Sequence, residues 1–228
     1  MSNTQKKLFF LTLFSVVGFI SLQIPFNKVV GSNVSFTLFD FFAPIAGGFL
    51  GPVFGIGSVF TVEVINMWVK QTPLTTGSII RLFPTLFAVL YFALASRKKF
   101  QGKWLLAIPI LCILAFIIHP IGRQVFYYAL MFWSIPIIAY FKRDNLFIKS
   151  LGATFTAHAV GGTAWIWAFN LPAAVWRNLI PVVIAERLLF ATGIAVSYIV
   201  VRFILSYLAS KKMLPKLDMI ASRWFIET

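Results

Sequence analysis

The chain has 228 residues, 60% of them hydrophobic and 11% charged, with a formal net charge of +14. A soluble domain carries about 25% charged residues, so this composition excludes a soluble globular protein. One cysteine and two histidines exclude an internal disulfide and a zinc motif, and there is no GxxxxGK[ST] loop through which the chain itself could bind ATP.

In chain order, Lys6 and Lys7 precede the apolar run 8–24. A basic start before LFFLTLFSVVGFI has some character of a secretory signal, but no small-residue cleavage site follows closely, so the run reads as the first span. Further apolar runs lie at 38–50, 53–69, 79–96, 104–119, 123–141, 150–169 and 182–209. A span needs ~20 apolar residues to cross a ~30 Å hydrocarbon core. The runs 38–50 and 53–69 are short for this, and Gly51-Pro52 separates them. Proline has no N–H and disfavours a helical residue before it, so a break or sharp kink is predicted there. The carbonyls freed at such a break must face protein or water rather than lipid. Gly47, Gly51 and Gly55, at four-residue spacing, give a flat surface for close helix packing.

Thirteen of the 20 basic residues lie between or beyond the apolar runs, in four short segments: Lys6 and Lys7, the 97–103 cluster, Lys142 to Lys149, and Lys211 to Arg223. Short basic segments beside spans mark the cytoplasmic side, and this placement argues against a nucleic-acid partner. If 38–69 were one kinked span, Lys6/Lys7 and the 97–103 cluster would fall on opposite sides. If it is two short spans, all four basic segments share one side. The sequence therefore predicts an all-α, multi-pass protein of the cell membrane with about six to eight transmembrane helices and both termini cytoplasmic. A single helical domain is expected over 1–210, with 104–141 as an extra hairpin and 211–228 as a short basic tail.

Several polar residues within apolar sequence need a reason. Glu63, Asn66 and Lys70 fall at i, i+3 and i+7, on one helical face. A carboxylate at membrane depth faces a cavity or a partner, so Glu63 either binds a ligand or pairs with a basic residue such as Arg81. Asp40 opens the second run and reads as a residue of the outer interface. His158, Gly162, Trp165 and Phe169 share a helical face that leaves room for a flat ligand between aromatic surfaces, or His158 is a core histidine bonded to another helix. Trp176, Arg177 and Asn178 sit in a short external loop between Pro172 and Pro181. Trp176 reads as an interfacial anchor or a stacking surface, and Arg177 as a fork for a carboxylate or phosphate. Glu186 and Arg187 are adjacent, point about 100° apart and are expected to need different partners. His119 and Arg123 read as outer loop residues. No HExxH or GxSxG motif and no telling carboxylate pair is present, so no catalytic residue is assigned and the chain reads as a non-enzyme with no cofactor and no metal site.

FTLFDFFAPIAGGFLGPVFGIG, with a following helix that carries a polar residue, resembles the second and third helices of the substrate-binding S components of energy-coupling factor (ECF) vitamin transporters. There a glycine-rich Leu-Gly-Pro turn joins two short helices; here the match is Gly47-Gly48-Phe49-Leu50-Gly51-Pro52 with Gly55. WRNLIPVVIAERLLFATGIAVSYIVVRFIL is similar to the last helix of that family, and Arg81-Leu82-Phe83-Pro84 opening a span that ends in Arg97-Lys98-Lys99 also fits. The resemblance implies six core helices, a ligand pocket near the outer face, no ATPase of its own, and energy supplied by a transmembrane coupling subunit with two ATPases. Where the family often carries an Ala-x-x-x-Ala patch for that partner, this chain has Ser15, Gly18 and Ser21. The residues expected to hold a small aromatic or heterocyclic nutrient are Glu63, Asn66 and His158 as hydrogen-bonding groups, Trp165 and Trp176 as stacking surfaces, and Arg177, Arg81 and Glu186 for charge. The alternatives are an assembly protein of related fold without transport and a membrane-embedded enzyme acting on lipid through His158 and Glu186.

Overall fold

A computed structural model describes residues 3–28, 35–97 and 102–211. Lys98 and Lys99 of the basic cluster, and the tail beyond Lys211, lie outside the described residues. The chain is all-α apart from one small ribbon. Its elements are α1 (Asn3–Leu22), the antiparallel strands β1 (Pro25–Lys28) and β2 (Ser35–Thr37), α2 (Phe39–Val69), α3 (Thr76–Ala95), a 3-10 turn (Lys103–Leu106) leading into α4 (Ala107–Ile118), α5 (Pro120–Gln124), α6 (Phe126–Trp133), α7 (Ile135–Phe141), α8 (Leu146–Phe169) and α9 (Ala173–Ser210). Among the described residues, α3 and α9 are each long and apolar enough to cross a membrane; α2 is as apolar over its 31 residues but is interrupted at Gly51, and shorter apolar helices accompany them.

The break expected at Gly51-Pro52 is a reversal. Gly51 has φ 80° and ψ 174°, a region that essentially only glycine occupies. Pro52 then opens the second arm, at a position where its missing N–H would have had no helical acceptor. The two arms, 39–50 and 52–69, fold back on each other. A Cβ on Gly55 would lie 2.7 Å from the Cα of Gly47, whereas eight residues of continuous helix would hold these positions roughly 12 Å apart. A Cβ on Gly47 would also collide with the carbonyl oxygen of Val89, so Gly47 admits both the other arm and α3.

Residue pairings fix the direction of each helix. Ser15 meets Ser58 at 3.1 Å and Gln23 meets Asn66 at 3.0 Å, so α1 runs parallel to the second arm. The first arm runs parallel to α9, with Phe41 against Gly193 and Gly48 against Tyr198. Helix α3 is antiparallel to α8: Gly77 meets Trp165, Pro84 meets Gly161, and Tyr91 meets Gly152. Helix α4 is parallel to α8, since Thr163 and Trp167 donate to the carbonyls of Cys112 and Ala115. The segments thus alternate in direction along the chain, and the start of α1, the end of α3, the α7–α8 turn and the end of α9 share one face. This is the two-span reading of 38–69. The run 123–141 is divided into α6 and α7 because Pro136 cannot continue the preceding helix.

Helix α8 lies at the centre, packed against α3, α4, α7 and α9. Because its neighbours are protein, it carries buried Lys149, Ser150, Thr154 and Thr156. The hydroxyls of Ser150 and Thr156 bond to carbonyls one turn back, and the Lys149 ammonium sits 5.0 Å from the Phe92 ring.

The small residues of α1 do not form the outward partner patch expected of them. Ser15 bonds to Ser58, the Ser21 hydroxyl donates to the Gly18 carbonyl, and buried Gly18 lies under the rings of Phe39 and Phe42. Ser15 and Gly18 thus lie in the joint between α1 and α2, where small side chains let two helices approach.

Candidate functional site

Two polar groups meet inside the bundle. The first is built on Asp40. The first arm has only 12 residues, roughly 18 Å of helix, about half of a ~30 Å core. Asp40 therefore lies within the bundle, not at the outer interface. Its Oδ2 accepts the backbone N–H of Thr37 at 2.8 Å, which joins the ribbon to the helix. Arg187 and Arg81 are both within Coulombic reach of it. Glu63, on the second arm, faces the same space with Asp40, Arg81 and Thr85 around it. One of its carboxylate oxygens is buried without a hydrogen-bond partner. Arg81 is exposed, one turn into α3, so the group opens at that end.

Arg187 is the second anchor, 8% exposed on the inner face of α9. Its guanidinium stacks on Phe190 at 4.4 Å and faces Phe36 at 5.8 Å. It donates to Thr154 Oγ1 at 3.2 Å and pairs with Glu186 at 3.6 Å. Glu186 and Arg187 therefore share an ion pair where separate partners were expected, because both side chains swing along the helix into the same buried space. The Nε–H of Arg187 has no acceptor.

Thr154 and His158 lie one turn apart on α8, so the Arg187 site continues into an aromatic box. His158 Nε2 is 3.0 Å from the Tyr128 hydroxyl, and the Trp133 indole N–H donates to Nδ1 at 3.2 Å. Phe132 and Phe155 close the box, stacked on each other at 5.8 Å. Gly162 leaves no gap beside His158, because the edge of Trp133 fills the space.

The other expected site residues go elsewhere. Asn66 binds Gln23 and ties α1 to the second arm. Trp165 stacks with Phe169 at 4.4 Å over Gly77, at the opening of α3 and away from His158. Trp176 is a core residue: it is 3% exposed, meets Phe116 and Tyr128 edge-on, and donates its indole N–H to the Leu171 carbonyl. Arg177 is exposed in the first turn of α9. His119, expected in a loop, is buried and bonds to Asn170 Oδ1 at 3.0 Å, pinning the α4–α5 turn to the end of α8.

The structure thus brings together Glu63, Arg81 and Glu186 with Asp40 and Arg187, and joins them to His158 through Thr154. Asp40, Arg187, Thr154, Tyr128 and Trp133 were not among the expected site residues. A guanidinium inside the apolar run 182–209 was a readable signal for Arg187. Tyr128 and Trp133 had none, since aromatic residues are scattered through the whole sequence. The arrangement supplies buried donors and acceptors around a charged cluster, which suits recognition of a polar molecule. Among the described residues no group of histidine, cysteine and acidic side chains could hold a metal ion.

No family model matches the chain, and no solved structure matches it. It is 28% identical over 204 residues to an uncharacterized protein of Methanocaldococcus jannaschii, an alignment that covers 81% of this chain and 67% of that protein.

Proposed function

We propose that the protein is a multi-pass substrate-binding subunit of the cell membrane that captures a small vitamin-like or heterocyclic nutrient, without catalysis. In this reading a transmembrane coupling subunit and two ATPases supply the energy for uptake. The observation that carries it is the unpartnered, buried oxygen of Glu63 beside Asp40 and Arg81. A purely structural ion pair would satisfy that oxygen, because an unpaired polar group at membrane depth costs several kcal/mol. The helical hairpin at Gly51 is what the resemblance to S components implies for this segment, and the cluster away from that turn suits the outer-face ligand pocket that the resemblance implies. Purification of the tagged protein from its native membranes in mild detergent, with mass spectrometry of what accompanies it, tests the reading. Recovery of a membrane subunit with two ATPases supports it. Recovery of cell-envelope assembly proteins without an ATPase overturns it.

A further inference from the structure

The indole of Trp133 is a donor only, so His158 Nδ1 must accept its N–H. The imidazole proton therefore sits on Nε2, and the ring is neutral. Nε2–H in turn donates to the Tyr128 oxygen at 3.0 Å. The Tyr128 proton must then point elsewhere, and among the described residues no acceptor receives it. Tyr128 is 1% exposed, so this is a buried donor without a partner. Arg187 Nε–H is a second one. The two lie close together: Tyr128 binds His158, Arg187 binds Thr154, and His158 and Thr154 are stacked one turn apart on α8, where side chains stand ~5–6 Å apart. Buried donors are almost always paired, so two orphans side by side point to a group from outside the chain.

We propose that Tyr128 and Arg187 bind one neutral acceptor oxygen, a carbonyl, of the molecule that this protein captures, and that the Trp133–His158 pair fixes Tyr128 as the donor. The inference deepens the ligand-binding reading and rests on it. The oxygen is a carbonyl rather than a carboxylate because three carboxylates, Asp40, Glu63 and Glu186, already surround two guanidiniums, Arg81 and Arg187. A further anion would enter a space of low dielectric and find no guanidinium without a carboxyl group already beside it. The orphaned oxygen of Glu63 suits an N–H donor on the same molecule, so an amide or lactam edge matches the cluster.

The test uses acetamide and acetate as probes of equal size, observed by saturation-transfer NMR on the detergent-solubilised protein. Nitrogen-15 spectra report the tautomer of His158, with His119 the only other histidine. The expected result is protonated Nε2 with bare Nδ1, a transfer signal from acetamide but not acetate, and loss of that signal in Tyr128→Phe. Tyr128→Phe keeps the tautomer, which shows that the box still packs, while Trp133→Phe frees it and weakens the acetamide signal. Protonated Nδ1, preference for acetate, no signal from either probe, or an unchanged signal in Tyr128→Phe overturns the proposal. Tyr128-dependent acetamide binding in a protein that recovers no ATPase would sink the transport reading and leave this site standing. Recovery of the ATPases with no such binding would do the reverse.

Discussion

The reversal at Gly51 sets the register of every later helix, and a pair of glycine substitutions probes it. Gly55 and Gly57 lie two residues apart on the same arm. A Cβ on Gly55 meets the Gly47 backbone at 2.7 Å for Cα and 2.8 Å for N, whereas a Cβ on Gly57 meets nothing within 4 Å. Carbon atoms rest ~3.5–4.0 Å apart, so Gly55→Ala must push the two arms apart by roughly 1 Å. Backbone cannot rotate away as a side chain does, and overpacking of this kind costs ~1–3 kcal/mol. Gly57→Ala removes a helix-weakening glycine without a clash and stabilises by up to ~1 kcal/mol. The two variants should differ by ~1–4 kcal/mol, about 2–16 °C in apparent Tm for a domain of this size. The assay is thermal unfolding in detergent followed by tryptophan fluorescence. If the two variants unfold together, the arms do not pack at Gly47 and the hairpin is wrong.

Other outcomes follow from the same contacts. Gly51→Ala places a Cβ in a backbone region reserved for glycine and should destabilise by ~1–3 kcal/mol in chemical denaturation. Trp176→Ala opens a cavity among Phe116 and Tyr128 and should cost ~3–5 kcal/mol, seen as loss of folded protein on size exclusion. Asn66→Ala breaks an exposed link to Gln23 and should cost less than ~1 kcal/mol, with binding unchanged in the acetamide experiment. In a Cys112→Ser background, new cysteines at Leu74 and at Arg97 should be labelled from opposite sides of membrane vesicles by an impermeant maleimide. Labelling from the same side would remove the alternation of the helices.

The fold was legible where one physical rule acted alone. Gly51-Pro52 within short apolar runs announced a break or sharp kink, and the basic segments chose two arms over one kinked span. Glu63 was legible because a carboxylate in apolar sequence always needs a partner. Legibility failed where one residue type serves two ends. Trp176, in a short segment between two prolines, looks the same whether it anchors at an interface or fills a core, and only the packing of Phe116 decides. Ser15, Gly18 and Ser21 make a smooth stripe whatever covers it, and Ser15 and Gly18 turned out to face α2 of the same chain. Asp40 was misplaced although the short run 38–50 already held the reason: an arm of 12 residues, ~18 Å long, cannot reach the outer interface from the turn at Gly51. The aromatic box was beyond reach, since it joins α6 to α8 across 25 and 30 residues.

In the proposed function, the cluster around Glu63 holds a molecule rather than merely two helices. Native mass spectrometry of the protein released from its own membranes measures this directly, with wild type beside Glu63→Gln. The expected result is a small-molecule adduct on the wild type that is lost in Glu63→Gln while the thermal unfolding of the protein is unchanged. Wild type without an adduct, or Glu63→Gln that unfolds where wild type does not, would contradict it and leave Glu63 as a structural partner of Arg81.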